Sequence, residues 1–453
     1  MTDIKNRHIA IIGAARSGLA AARLLKRHGA DVFVSDASEI QSAVKSELDQ
    51  EQIPWEENHH SERARNVNMA VISPGVPDNA PIMEFYAQVG IPVFSELEAA
   101  SWFNKSPIIA VTGSNGKTTV TSWMAHTWKT ANRPCLLAGN IGRAFSDMVD
   151  NTLPGTTAIL EVSSFQLDHI RSFRPDVSVI LNITPDHLDR YNQDFDLYAG
   201  SKLRITKNQQ AEDIFIYNFD DPVLTEKVET VRERDIHPRL MAVSVNKEVP
   251  QGAFVRDDQI IFKINDSEEI LMNKSEVGLP GKHNLNNSLA TALAARVSEI
   301  KNDAIRESLR SFEGVEHRLE PVRLLDGVRY INDSKATNIN AVWFALDSFD
   351  LPIVLILGGR DKGNDYTGLK DQILEKVHTI IAIGEARGSI KDQLGEIVPN
   401  YLEADSLKEA VRLSRTKAKR GEIVLLSPAC ASFDMFDNYE HRGNVFKEAV
   451  MEL

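Results

Sequence analysis

Residues Ile108 to Thr121, IIAVTGSNGKTTVT, run from an apolar stretch into a loop bounded by Gly113 and Gly116, followed at once by Lys117, Thr118 and Thr119. Such a loop is suited to phosphate. Its glycines let backbone N–H groups turn inward, the next helix adds its positive N-terminus, the lysine reaches terminal phosphates and a hydroxyl can hold Mg²⁺. The usual spacing would place a glycine at 111, where Val111 stands, so Gly113 must make the turn and the loop is a subtype of the general pattern. A plain strand-to-helix turn would explain the glycines but not the lysine and threonine together. Gly113, Ser114, Asn115, Gly116, Lys117, Thr118 and Thr119 are therefore expected to bind a nucleoside triphosphate.

Other chemistry-bearing residues fall at the ends of apolar runs. TTAILE delivers Glu161, an acid placed to help hold Mg²⁺, and DVSVILNITPDHLDRY delivers Asp186 and His187, the histidine being a metal-ligand candidate. Lys202, in YAGSKLRI, reads by spacing alone as a lysine on a helix surface. In LPGKHNLNN, Asn284 and Asn287 lie three apart on the first turn of an Ala-rich helix and share a face, which capping alone does not explain and purine contact would. Three later strands end in Asp333-Ser334-Lys335-Ala336-Thr337, in Arg360-Asp361-Lys362 and in Cys430-Ala431-Ser432. Hydroxyls and cations at three strand ends of one sheet mark the ligand edge of an open α/β sheet.

The elements that must position these residues alternate strand and helix along the chain, which predicts α/β domains with largely parallel sheets. At 453 residues the chain is long enough for about three domains. We expect a Rossmann-like domain over 1–98, a central P-loop ATPase domain with a mainly parallel sheet over 99–314, and a Rossmann-like C-terminal domain over 315–453. The first opens HIAII, Gly13, Gly18, then a helix to about His28 and the strand DVFVSD. Its glycine fingerprint is incomplete, with Ala15 at the middle glycine and Arg16 in the loop. That disfavours NAD and favours another nucleotide's phosphates, with Asp36 placed to meet a ribose or base and Ser73 on a neighbouring turn.

Composition excludes several classes. The net charge of −13 and the lack of a basic stripe argue against nucleic-acid binding. No run approaches the ~18 apolar residues of a membrane span, and the opening MTDIKNRHIAIIG is too weakly apolar for a signal peptide. Two cysteines, Cys135 and Cys430, fit a reducing compartment. A cytoplasmic monomer without membrane insertion is expected.

Taken together, TGSNGKTT, Glu161, NITPDHLDRY, LPGKHNLNN, EHRLE, NDSKATN and SPACASFD, in this order and at these spacings, resemble the Mur ligase family over essentially the whole chain. NDSKATN and SPACASFD are similar to the D-glutamate-adding members, and the Asp-Asn-Pro-Arg motif of the diaminopimelate-adding relative is absent. The resemblance implies that ATP phosphorylates the carboxylate of UDP-N-acetylmuramoyl-L-alanine and that D-glutamate attacks the acyl phosphate, a step of peptidoglycan precursor synthesis. It further implies Lys117 and Thr118 on the phosphates and a first Mg²⁺, with Glu161 on that metal. A second Mg²⁺ would lie at His187 and at Lys202, the latter carbamylated. Asn284 and Asn287 would contact adenine, with Arg318 and Asp333 on the other side of ATP. Arg16, Ser17, Asp36 and Ser73 would meet UDP, Asn140 the muramoyl group, and Lys335, Thr337, Lys362, Ser432 and Tyr439 D-glutamate. The sequence departs from the family at Arg16, where relatives often carry a smaller residue, and around Lys362, where GGRDKGNDY replaces Asp-Gly-Lys. A ligase adding another amino acid, or a non-catalytic nucleotide-binding protein of the same fold, are the alternatives.

Overall fold

The computed structural model describes residues 3–453 apart from 266 and 362. Three sheets build a three-domain α/β architecture. The first holds β1 (His8–Ile12), β2 (Asp31–Ser35), β3 (Trp55–Glu56), β4 (Met69–Ile72) and β5 (Val93–Ser95) in the order β3-β2-β1-β4-β5, all parallel. Strands covered on both faces read as continuous apolar runs, which is why HIAII and MAVI are almost wholly buried. The order reverses between β1 and β4, so the loops after those strands, carrying Gly13 and Ser73, flank the crevice where such sheets bind ligands.

The central sheet comprises β6 (Ile108–Thr112), β7 (Cys135–Gly139), β8 (Thr157–Glu161), β9 (Val177–Ile180), β10 (Ile214–Asn218), β11 (Arg239–Ser244), β12 (Gly252–Arg256), β13 (Gln259–Ile264) and β14 (Ser267–Asn273). Its order is β14-β13-β12-β11-β10-β9-β6-β8-β7. β6 lies between β8 and β9, with Val111 opposite Glu161 and Thr112 opposite Ile180, so the P-loop, the acid and the loop leading to His187 leave one edge together. The P-loop helix (Lys117–Thr130) is backed by the helix Asn302–Ser311: Trp123 Nε1 donates to the Ser308 carbonyl, and Thr127 Oγ1 meets Ser308 Oγ at 2.7 Å. The sheet departs from strict alternation at β12–β14, an antiparallel run. Asp257 and Asp258, with φ of 49° and 63°, form the two-residue turn between β12 and β13, a short-range signal that helix–strand counting passes over.

The third sheet holds β15 (Glu320–Leu325), β16 (Val328–Asn332), β17 (Ile353–Gly358), β18 (Val377–Ile383), β19 (Asn400–Glu403) and β20 (Ile423–Leu426) in the order β15-β16-β20-β17-β18-β19. β15 and β16 form an antiparallel hairpin over Asp326-Gly327, and the rest pair in parallel. The chain forms two compact units, residues 1–277 with 286–311 and residues 278–285 with 312–453. Within the first unit, the helix Glu96–Ser101 fastens the first sheet's domain to the central one. Glu98 accepts the backbone N–H groups of Arg171, Ser172 and Phe173, the Ser172 hydroxyl and Trp102 Nε1. No helix among the described residues is long and apolar enough to cross a membrane.

Candidate active site

The P-loop is held by the loop after β9. Asn115 N donates to Asn182 Oδ1 at 2.8 Å while Asn182 Nδ2 donates to the Asn115 carbonyl at 3.0 Å, a reciprocal amide pair. Ser114 Oγ donates to the Thr184 carbonyl and meets Tyr198 OH at 2.9 Å. Gly113 and Gly116 take φ of 152° and 87°, and a Cβ at Gly116 would come within 2.8 Å of Asn287 Oδ1, so this turn demands glycine. Lys117 folds back over its own loop, donating to the carbonyls of Gly113 at 2.7 Å and Ser114 at 2.9 Å. Thr118 and Thr119 are buried at the start of the helix.

Thr118 Oγ1 donates to Glu161 Oε2 at 2.7 Å, and Asn140 Nδ2 donates to Glu161 Oε1 at 3.3 Å. Glu161 is 3% exposed, and the hydrogen bonds it accepts come from neutral groups. A carboxylate so buried is stabilised by a cation. Lys202, on the helix Phe195–Leu203, is 2% exposed and lies 4.6 Å over the Tyr198 ring. Its Nζ donates to the Gly113 carbonyl at 3.1 Å, the same oxygen that Lys117 uses. Burial holds its pKa well below the usual lysine range, the Lys117 charge adds to this, and Asp186 and Asp168 oppose it. The helix-surface reading of Lys202 from spacing is thus corrected: it points into the protein beneath the P-loop. His187 is left-handed at φ 51°, half-exposed, with Nε2 3.8 Å from Asp186 Oδ2. Among the described residues no group of three or more His, Cys, Asp or Glu could hold a metal by itself. Thr118 and Glu161 nevertheless fit Mg²⁺ beside a phosphate cradle, because that ion takes few protein ligands and completes its shell with phosphate oxygens and water.

At the crevice of the first sheet, Ser73 Oγ donates to the Gly13 carbonyl at 2.8 Å, and Ala14 N donates to Asp36 Oδ2 at 2.7 Å. The helix Arg16–Arg27 begins here without a side-chain cap or an acidic residue in its first turn, and Ser17 is partly buried on that turn. A Cβ at Gly18 would lie 1.9 Å from the Gly13 carbonyl, which is why glycine is kept there. Arg16 Nη1 donates to the Gly142 carbonyl at 2.6 Å, so this departure from the family pattern ties the first loop to AGNIGR, where Asn140 stands.

In the second unit, β16, β20 and β17 are neighbours, and the strand ends named from sequence lie side by side. Asp333 is 4% exposed. Burial pushes its carboxyl up to about 7, against Arg318, the Ser427 hydroxyl at 2.8 Å, Leu319 N and Arg442. Lys335 Nζ lies 5.1 Å over the Tyr439 ring, Thr337 is exposed and Ser432 is buried. Lys362 lies outside the described residues. Asn284 donates to the Pro280 carbonyl at 2.7 Å in this unit, whereas Asn287 belongs to the first.

Sequence reasoning passed over Arg442, which is fully buried and holds two of these loops together. Nε donates to Ser334 Oγ, Nη2 to the Ser334 carbonyl at 2.8 Å and Nη1 to the Cys430 carbonyl at 3.0 Å. Burial pulls its pKa down to about 10. His317 was likewise passed over; its ring occupies the space left by Gly443, where a Cβ would come 2.3 Å from Nδ1. The glycine of HRGN four residues after Tyr439 was the available signal.

Fold and site together define a P-loop nucleotide-binding protein of the doubly wound α/β class. Three family models match in succession: the MurD N-terminal domain over residues 8–82, the Mur ligase middle domain over 111–295 and the Mur ligase glutamate ligase domain over 317–430. The chain is 46% identical over 457 residues to the UDP-N-acetylmuramoylalanine--D-glutamate ligase of Salinibacter ruber, covering 100% of this chain and 99% of that protein. It is 45% identical over 465 residues to the enzyme of that name from Chloroherpeton thalassium, with 100% and 99% covered. Among solved structures, MurF from Acinetobacter baumannii superimposes with a TM-score of 0.62 at 15% identity, covering 98% of this chain and 93% of that one. UDP-N-acetylmuramate-alanine ligase MurC from Thermotoga maritima gives 0.59 at 18% identity, with 99% and 100% covered. The chain belongs to the Mur ligase family, and it is an ATP-dependent ligase.

Proposed function

We propose that this protein joins D-glutamate to UDP-N-acetylmuramoyl-L-alanine with conversion of ATP to ADP and phosphate, a cytoplasmic step of peptidoglycan precursor synthesis. The observation that carries the reading is the Thr118–Glu161 contact beside Lys117, in a chain matched end to end by D-glutamate ligases. In this reading residues 1–98 take the UDP group through Arg16, Ser17, Asp36 and Ser73, with Asn140 on the muramoyl group. Residues 99–314 take ATP through Gly113–Thr119, Asn284 and Asn287, with Arg318 and Asp333 from the third domain, 315–453. Lys335, Thr337, Lys362, Ser432 and Tyr439 hold the two carboxylates of D-glutamate.

A carboxylate is a poor electrophile until its oxygen becomes a leaving group. Lys117 stabilises charge on the transferring phosphoryl, the alanyl carboxylate oxygen attacks it, and the D-glutamate amine then displaces phosphate from the acyl phosphate. Thr118 and Glu161 would hold a first Mg²⁺, and His187 and Lys202 would serve a second. When bound, such ions would supply charge neutralisation on the phosphate oxygens. Lys202 as an ammonium cannot ligate a cation; as a carbamate it can. Its depressed pKa favours this, since a neutral amine is the form that attacks CO₂.

The test is phosphate release from ATP and Mg²⁺ with UDP-N-acetylmuramoyl-L-alanine, comparing D-glutamate with L-glutamate, D-aspartate, L-alanine and diaminopimelate. Release with D-glutamate alone is expected. Release only with another amino acid would keep the ligase chemistry and overturn the pocket assignment, and no release would point to the non-catalytic alternative.

A further inference from the structure

One side chain joins two loops of the first unit that come from different sheets. Arg190 lies on the short turn Leu188–Tyr191 that follows His187, and its backbone N donates to the His187 carbonyl at 3.1 Å. Nη1 donates to the Pro74 carbonyl at 2.7 Å and Nη2 to the Val76 carbonyl at 2.8 Å. The guanidinium sits 4.7 Å over the Phe165 ring, whose centroid is 6.3 Å from that of His187 in an edge-on arrangement. A planar fork points two separate donors at the two carbonyls while its flat face covers the ring, a geometry that a compact ammonium on a differently shaped stem does not reproduce in full. The loop it grips runs on from Ser73, whose hydroxyl reaches the Gly13 carbonyl, and Val76 packs against Gly13. A separate contact, His169 Nε2 to Asp78 Oδ1 at 2.7 Å, fastens the far end of that loop, where the Asp78 carboxylate also feels the Arg190 charge.

We propose that Arg190 is a positioning residue that makes the nucleotide-sugar loop and the His187 turn one connected structure, so that loosening it weakens substrate and metal together. The inference rests on the assignment of Ser73 to the UDP site and His187 to the metal. The contact geometry gives the reason. The Pro74 and Val76 carbonyls are fixed by donors carried three residues beyond His187, so a shift of either loop is transmitted to the other through two hydrogen bonds and a shared ring.

The experiment compares wild type with Arg190→Met, Arg190→Lys and, as a control that loosens the same loop at its Asp78 end, His169→Gln. Three quantities are read: calorimetric affinity for UDP-N-acetylmuramoyl-L-alanine in EDTA, the Mg²⁺ concentration for half-maximal phosphate release, and KM for D-glutamate. Loss of two charge-assisted hydrogen bonds should weaken the nucleotide sugar about tenfold in Arg190→Met and raise the Mg²⁺ midpoint about tenfold. KM for D-glutamate should not move, Arg190→Lys should recover part of both losses, and His169→Gln should leave the Mg²⁺ midpoint unchanged. A merely structural role would lower melting temperature and leave both midpoints in place. Should Arg190→Met fail to fold, Arg190→Lys carries the comparison. A shift in one quantity alone, or in neither, overturns the inference while an active wild type leaves the functional reading standing. A wild type that neither binds the nucleotide sugar nor releases phosphate overturns both.

Discussion

Replacing Asp333 by Asn should stabilise the second unit at alkaline pH and have no such effect in acid. The folded carboxyl is pushed from 3.8 up to about 7, chiefly by burial. Between about pH 4 and 7 the folded state therefore binds more protons than the unfolded chain, and stability falls as pH rises through that window. The cost of burying the charge is absent below about pH 4 and complete above about pH 7. At roughly 1.4 kcal/mol per pKa unit it amounts to about 4 kcal/mol. Asparagine is nearly isosteric: its carbonyl can accept from Leu319 N, where Oδ1 now accepts at 3.2 Å, and its amide can donate to the Ser427 hydroxyl. The variant loses the charge and keeps the bonds. Urea unfolding followed through Trp343, which lies in the same unit, at pH 5 and pH 8 reads the difference. We expect Asp333→Asn to gain about 2–4 kcal/mol over wild type at pH 8, less at pH 5, and to lose ATP-dependent turnover. A variant less stable than wild type at pH 8, or a difference equal at both pH values, would refute the reasoning.

Lys117→Ala should abolish acyl-phosphate formation, whereas Lys362→Ala should chiefly raise KM for D-glutamate, by about ten- to a hundredfold for a lost charge-assisted contact; equal loss of acyl phosphate in both contradicts that division. Lys202 should take up ¹³C-labelled bicarbonate, giving a carbamate resonance that Lys202→Met lacks, and a spectrum identical in the two proteins would remove the carbamate. Glu98→Gln leaves one acceptor oxygen where a carboxylate serves three backbone N–H groups and two side chains, so melting should report a loss of about 2–3 kcal/mol. An unchanged melt would show that the loop 171–173 needs no such cap. Gly139→Ala would place a methyl 2.3 Å from the Glu161 carbonyl, and activity should fall with stability; wild-type activity in that variant would show that the Glu161 backbone is free to move.

What was legible in the sequence was what repeats a local rule. The P-loop, the strand-end position of Glu161 and the neighbouring strand ends of the third sheet follow from apolar runs that stop at polar residues, because parallel strands buried on both faces leave no other place for such groups. Lys202 was misplaced by spacing, since a helix pattern tells which residues share a face but not which face a neighbouring loop will cover. Arg442 and Arg190 were illegible for a related reason: each draws its meaning from carbonyl groups, and backbone acceptors leave no mark in the identity of the residues that carry them. The Asp257-Asp258 hairpin was readable and was masked by the strand–helix rhythm around it.

The helix Asn302–Ser311 behind the P-loop helix bears on how the protein is made. A ribosome delivers the phosphate loop long before residue 308, the residue against which Trp123 and Thr127 close. Between the two it must also deliver residues 278–285, which belong to the other unit. The nascent first unit therefore waits with the back of its P-loop helix uncovered, an apolar surface open to chaperones or to other growing chains. A fragment meant to fold by itself has to run to residue 311, because one cut at 277 would stop permanently at that unfinished stage.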